Sequence, residues 1–136
     1  MNATPIESSA LLAGRLLLAT IFLHEAFVKM GNYAGAAAYS RAFGVPDALL
    51  PLAIATELGC GLLIALGLYS RVAAVLLAGF CLVTAALFHT KFAEANQMLH
   101  FEKNLAMAGG LLVLAVCGPG RFALGRWFDH HRGASL

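Results

Sequence analysis

Charged residues are scarce in this chain. Lys and Arg number 9 and Asp and Glu 7 among 136 residues, 12% in all, and the formal net charge is only +2. That excludes the dense basic surface a nucleic-acid partner requires, and no basic run interleaved with aromatics occurs. It also leaves too little polar surface for a water-soluble domain of this size. Cysteine is equally sparse. Cys60, Cys81 and Cys117 stand alone with no CxxC pair, so a redox-active dithiol has no support. Their mid-span, apolar settings read as small buried hydrophobes and supply no metal site. The opening residues, MNATPIESS, lack a basic stretch and a small-residue cleavage site, so the first apolar segment is expected to remain in the mature protein. Internal repeats and low-complexity segments are missing as well.

What is abundant is apolar length. Hydrophobic residues make up 60% of the chain and the mean hydropathy is +0.80. Four segments reach the ~20 residues needed to cross a hydrocarbon core, at about residues 9–30, 48–68, 71–90 and 99–118, followed by a basic tail over 119–136. The expected fold is therefore all-α: a single four-transmembrane-helix bundle. Ser8 or Ser9 can cap the first span and Gly31-Asn32 can end it. Between spans one and two, YAGAAAYSRAF (residues 33–43) is too short to cross and reads as an interfacial helix with Tyr33 and Tyr39 at headgroup level. Gly44-Val45-Pro46 breaks it, and Asp47 suits the N-cap of the second span. The short link at Leu68-Tyr69-Ser70-Arg71 makes spans two and three an antiparallel hairpin. Gly118-Pro119-Gly120 stops the fourth. Small-residue rows at Ala55/Gly59 and Ala106/Gly110 suit close helix packing.

The first span carries Arg15, His24, Glu25 and Lys29. At ~100° per residue, Lys29 lies about 40° and Glu25 about 80° round the helix from Arg15, with His24 roughly opposite. Ionisable groups at membrane depth face a bundle interior or wet cavity and pair with one another. Glu57, about ten residues into span two, falls near the midplane and within ~6 Å in depth of Arg15, a gap a guanidinium stem can bridge. An Arg15–Glu57 pair is therefore expected. Towards the other end gather Glu25, Lys29, His89, His100, Glu102 and Lys103, and His100, Lys103 and Asn104 share one face at i, i+3 and i+4. Two readings stay open: a polar cavity with Glu57 at its floor, or ion pairs that only fix the bundle. His89 suits either an interfacial position or a hydrogen bond to a ligand head, since histidine titrates near neutral pH. Lys29, Lys91 and Lys103 near span ends can also snorkel. His89 and His100 sit too near the surface to clamp a haem, and His130-His131 reads as solvated tail. The candidate ligand-binding residues are Arg15, Glu25, Lys29, Glu57, His89, His100, Lys103 and Asn104.

Loop charge sets the expected orientation. The side with the termini and the short link holds Arg71, Arg121, Arg126 and Arg132, whereas the other holds Arg41 and Lys91. The positive-inside bias places both termini in the cytoplasm of a multi-pass inner-membrane protein.

The order and spacing of GRLLLATIFLHEAFVKM, then the run around Glu57-Leu-Gly-Cys-Gly, Gly67-Leu-Tyr-Ser-Arg71, Lys103-Asn104 and Gly118-Pro-Gly-Arg121 resembles the DoxX family of small membrane proteins, from about Leu11 to Arg126. Where similar proteins often carry small apolar residues before the helix-one lysine, this chain has His24-Glu25-Ala26. The resemblance implies a four-helix membrane protein. It also implies a link to quinone-coupled sulfur oxidation, as in thiosulfate:quinone oxidoreductase, or to membrane complexes that handle oxidative stress. On that footing the expected ligand is a quinone, with no flavin or metal, and the expected partners are membrane lipids, a redox protein and a second copy of the chain. The competing expectation is a non-catalytic binding, transport or assembly protein for a small anion, lipid or protein segment.

Overall fold

A computed structural model describes residues 4–127; His130, His131 and Arg132 lie outside the described residues. Thr4 and Glu7 open the first helix with a reciprocal capping box: the Thr4 hydroxyl accepts from the Glu7 amide, and the Glu7 carboxylate accepts from the Thr4 amide at 2.7 Å. Helix α1 therefore runs Pro5–Gly31, four residues longer at its start than apolar content alone suggests. The cap is Thr4 rather than Ser8 or Ser9; Ser8 is buried and Ser9 donates back to the Pro5 carbonyl. Asn32 closes α1, and its side chain caps α2 (Tyr33–Ala42) by accepting from the Gly35 amide. A 3-10 turn over Asp47–Leu49 leads into α3 (Leu50–Leu66). Asp47 makes no cap bond there and pairs instead with Arg41. Helices α4 (Ser70–Phe88) and α5 (Ala95–Cys117) complete the bundle. The last of these begins inside the stretch expected to be loop, since polar residues such as Asn96 and Gln97 extend a helix beyond its apolar window.

Cross-helix contacts give the topology. Phe22 and Leu23 pack on Gly61, Lys29 reaches Glu57, and Arg15 lies against Gly67, so α1 and α3 run antiparallel. Arg71 meets the Ala115 carbonyl, Thr84 meets Asn104 and His89 meets Gln97, so α4 and α5 do the same. The closest pairings are α4 with α5 and α1 with α3, joined through α3 and α4. The core alternates small and large residues, with Ala19, Ala74 and Ala78 letting Ile64, Leu77 and Leu111 fill the centre. In a bilayer such close packing, rather than hydrophobic burial, holds helices together. Outward faces are apolar instead: Leu17, Val113 and Val116 are 75%, 61% and 76% exposed. Four helices are long and apolar enough to span a membrane: Pro5–Gly31, the segment Asp47–Leu66, Ser70–Phe88 and Ala95–Cys117.

One of the two small-residue rows departs from expectation. Ala55 and Gly59 face outward, and Gly59 has no neighbour within contact distance of a Cβ placed on it; Gly61 makes the close approach to α1 instead. Gly110 does meet Leu18, at 3.4 Å. Cys60 and Cys81 are buried as expected, but Cys117, the last residue of α5, is exposed.

The end of the bundle bearing the termini is tied by arginine–carbonyl contacts. Buried Arg15 donates from Nη1 to the Pro119 carbonyl at 3.0 Å and from Nη2 to the Phe122 carbonyl. Arg71 donates to the Ala115 and Val116 carbonyls at 2.8 and 2.6 Å, covering acceptors that the C-terminus of α5 leaves unmatched. Gly67, at φ 75°, is where residues 118–125 fold against the α3–α4 turn; a Cβ there would stand 2.6 Å from that of Ala123.

Candidate functional site

At the opposite end, residues of α1, α2, α3, α4 and α5 line an open-mouthed cavity of about 580 Å³. Its apolar wall includes Ile21, Phe22, Leu50, Phe80, Leu87 and Met107. Of the candidate residues, Glu25, Lys29, Glu57, His89, His100, Lys103 and Asn104 all line it. Arg15 does not, and the expected Arg15–Glu57 pair is replaced by Lys29–Glu57. The reason is register. Depths counted from span ends assume level ends, but α3 begins beyond the end of α1, alongside α2, where Arg41 pairs with Asp47. That offset lowers Glu57 to the level of Lys29. It puts Arg15 level with Gly67, ten residues or ~15 Å further along α3.

Lys29 is the hub of the polar wall. Its Nζ lies 3.0 Å from Glu57 Oε1 and 3.3 Å from Glu25 Oε2. The Lys29–Glu25 pair is the expected i,i+4 contact within one helix, whereas Lys29–Glu57 joins two helices. Exposure grades along this chain, from 5% for the Glu57 side chain through 23% for Lys29 to 45% for Glu25. The second carboxylate oxygen of Glu57, Oε2, is buried with no hydrogen-bond partner.

Across the cavity, Asn104 Nδ2 donates to the His100 carbonyl at 3.0 Å, and Thr84 Oγ1 lies 3.3 Å from Asn104 Oδ1. His89 Nδ1 is 2.9 Å from Gln97 Oε1, and its ring stacks on His100 with centroids 5.1 Å apart. Next to this pair Phe88 stacks on Tyr39 at 5.6 Å, and Phe43 packs edge-on to Phe88 at 5.5 Å. Helix α2 thus supplies a wall of the cavity: Ala37 and Ser40 are buried, and Ser40 and Tyr39 line the space. Partial burial pushes the Tyr39 hydroxyl above its ordinary pKa, so it remains a neutral donor. His24 is exposed, Glu102 lies off the cavity, and Lys91 sits 5.6 Å over the Phe43 ring.

Sequence reasoning did not find Thr84, Tyr39, Phe88 or Gln97 as site residues. The i,i+4 aromatic pair Tyr39/Phe43 was a legible signal, and so was the adjacency of Phe88 to His89. Thr84 and Gln97 carried none, because a lone hydroxyl in a span and an amide in a loop are common without any site. Among the described residues no group of three or more His, Cys, Asp or Glu is placed to hold a metal ion.

Together these features define an integral membrane four-helix protein with a largely apolar cavity, edged by a few polar groups, at one end of the bundle. The DoxX family model matches residues 10–90, and the chain belongs to that family. It is 43% identical over 121 residues to the inner membrane protein YqjF of Escherichia coli K12, covering 89% of this chain and 93% of that protein. It is 35% identical over 123 residues to the inner membrane protein YphA of the same organism, covering 85% and 88%. No solved structure gives a significant match.

Proposed function

We propose that this protein resides in the inner membrane, holds a quinone or similar amphiphile in the cavity, and works with a partner protein that exchanges electrons with that ligand. The observation that carries the reading is one open-mouthed cavity of about 580 Å³ whose wall combines apolar side chains with His89, His100, Lys103 and the Lys29–Glu57 pair. Small-molecule sites typically measure ~300–1,000 Å³ and pair an apolar lining with a few polar groups that orient the ligand. A ring head with two oxygens needs hydrogen-bonding groups at both ends and a route for protons, and imidazole, ammonium and carboxylate groups supply those. The chain's own residues thus offer binding and proton exchange, and the electrons are assigned to the partner. The names of the two relatives support the inner membrane, and the clustering of Arg71, Arg121 and Arg126 at the terminal end supports a cytoplasmic location for both termini.

The test is calorimetric titration of the purified protein in nanodiscs with a decyl-substituted quinone, alongside His89→Phe and Lys103→Met. The wild type is expected to bind, and each variant to bind more weakly by about threefold to tenfold with its fold intact. No binding to the wild type, or equal binding to all three proteins, sinks the reading.

A further inference from the structure

The end of the bundle away from the cavity carries cations and almost no acid. Among the described residues Arg15, Arg71, Arg121 and Arg126 lie there, and Glu7 is the only carboxylate at that end. Glu7 is engaged by the Thr4 amide, and Arg15 is buried against the Pro119 and Phe122 carbonyls. The Arg121 and Arg126 guanidiniums are exposed and take part in no hydrogen bond or ion pair among the described residues. Residues 118–125 cross this end as a strap. Gly118 lies under the Arg71 guanidinium, Gly120 against Ser8 and Leu11 of α1, and Gly125 against Gly67 and Leu68 at the α3–α4 turn. Ala123 turns inward, while Phe122 and Trp127, each next to a free arginine, are more than half exposed, as is Tyr69 on the turn. We propose that this strap is a docking surface for anionic phospholipid. Its guanidiniums take the phosphodiester, and Phe122, Trp127 and Tyr69 lie where headgroup meets chain. The surface stands apart from the cavity and does not depend on what occupies it.

Charge and chemistry both favour the lipid. Like charges gathered without a counter-acid draw their balance from outside the chain. A guanidinium offers a phosphate two parallel donors, a better match than a single ammonium gives. Juxtamembrane arginines are attracted to anionic lipid, and aromatic rings collect at the same depth. A nucleic acid or an acidic soluble protein would also answer the charge. Either would leave Phe122, Leu124 and Trp127 facing water beside the outward apolar face of α5, where Val116 is exposed. A bilayer covers those side chains and the charge together. Arg15 fixes the strap to α1, and Ala123 fixes it to the α3–α4 turn. Lipid held on the strap therefore ties three helices at once, and anionic lipid is expected to raise the melting temperature.

Trp127 is the sole tryptophan of the chain and so reports from this surface alone. The full-length protein is placed in phosphatidylcholine nanodiscs with a minor fraction of brominated-chain lipid, supplied as phosphatidylglycerol or as phosphatidylcholine. Bromine quenches tryptophan fluorescence on contact, and both ends of the protein meet the same lipid, so membrane orientation does not enter. Brominated phosphatidylglycerol is expected to quench as if enriched about fivefold or more around Trp127, the scale of one arginine at an anionic surface. Salt at ~1 M should reduce that enrichment. Arg121→Gln with Arg126→Gln should bring it to within about twofold of random mixing, whereas Lys91→Gln, at the cavity end, should leave it unchanged. Thermal melting checks the fold of each variant, and the wild-type comparison with Lys91→Gln decides the matter even where the arginine variant does not fold. Equal quenching by the two brominated lipids in the wild type overturns the proposal. So does enrichment that persists in the folded arginine variant, which places the lipid elsewhere. A loss in Lys91→Gln as large as in the arginine variant reveals diffuse attraction to net charge, and that also overturns it. Equal lipid quenching together with a Trp127 emission shift on adding soluble polyglutamate would assign the surface to an acidic protein partner instead.

Discussion

The Lys29 ammonium on α1 lies 3.0 Å from the Glu57 carboxylate on α3. It is the only ion pair between two of the four spans among the described residues. It holds together the two helices that begin the bundle and at the same time forms part of the cavity wall, so packing and site chemistry meet at one contact.

Removing one partner of such a pair strands the other. Lys29→Met leaves a carboxylate that is 5% exposed without its cation, and breaking a buried pair from one side typically costs ~3–5 kcal/mol. Lys29→Met combined with Glu57→Gln leaves no buried charge unpaired, only the half-exposed Glu25, so it should be markedly more stable than Lys29→Met alone. Thermal melting in detergent measures the difference. A double variant no more stable than the single would show that the two groups are not energetically paired.

Arg15 should behave differently, because its partners are carbonyls at the other end. Arg15→Leu unmatches the Pro119 and Phe122 oxygens, and losing two hydrogen bonds from a charged donor is expected to cost about 2–4 kcal/mol. Adding Glu57→Gln should give no rescue, since sites far apart with no shared partner combine additively. Rescue in the same melting experiment would restore the pairing expected from sequence.

The contrast between Lys29 and Arg15 shows where sequence is legible and where it stops. Hydropathy reveals four spans because the bilayer imposes a minimum apolar length, and the rarity of charge within them marks Lys29, Glu57, His89, His100 and Lys103 as inward-facing. Partner choice is another matter. It depends on how the spans slide past one another, and α2 sets that offset by carrying the chain past the end of α1 before α3 begins. A ten-residue helix contributes no span, so hydropathy is silent on it. Helix ends suffered likewise. The Thr4–Glu7 capping box is present as a T-x-x-E pattern, but it lies outside the apolar run, whose edge offers Ser8 and Ser9 as caps instead. The outward placement of Gly59 and inward placement of Gly61 follow from a helix rotation that a small-residue pattern alone leaves open.

Gly59 and Gly67 make a second, sharper test of packing. Gly67 has φ 75°, and a Cβ added there would approach both Arg15 and Ala123. Gly67→Ala should destabilise by more than about 1 kcal/mol, since strain and collision add. Gly59→Ala meets nothing within 4 Å in the middle of α3 and should be neutral or stabilising by up to ~1 kcal/mol from helix propensity. Equal melting temperatures for the two variants would contradict the fold at the α3–α4 turn.

The cysteines report burial and orientation in one measurement. Cys60 and Cys81 are 8% and 1% exposed within the bundle, whereas Cys117 is exposed at the final residue of α5. Thiol attack requires access, so Cys117 should react with a maleimide first, and Cys60 and Cys81 should follow only after unfolding in a strong detergent. Mass spectrometry of the folded protein should therefore count one adduct, against three after unfolding. The same residue reads the membrane side. Arg71 at the start of α4 bonds to the carbonyls of Ala115 and Val116, so Cys117 lies at the end of the bundle that carries Arg15 and Arg71, opposite the cavity. If positive charge holds that end in the cytoplasm, a membrane-impermeant maleimide should label Cys117 in inverted vesicles and leave it untouched in intact spheroplasts. A Cys117→Ser control should abolish the signal. Labelling from the outer side would invert the orientation while leaving the bundle as described, and early labelling of Cys81 would contradict the packing of α4 against its neighbours.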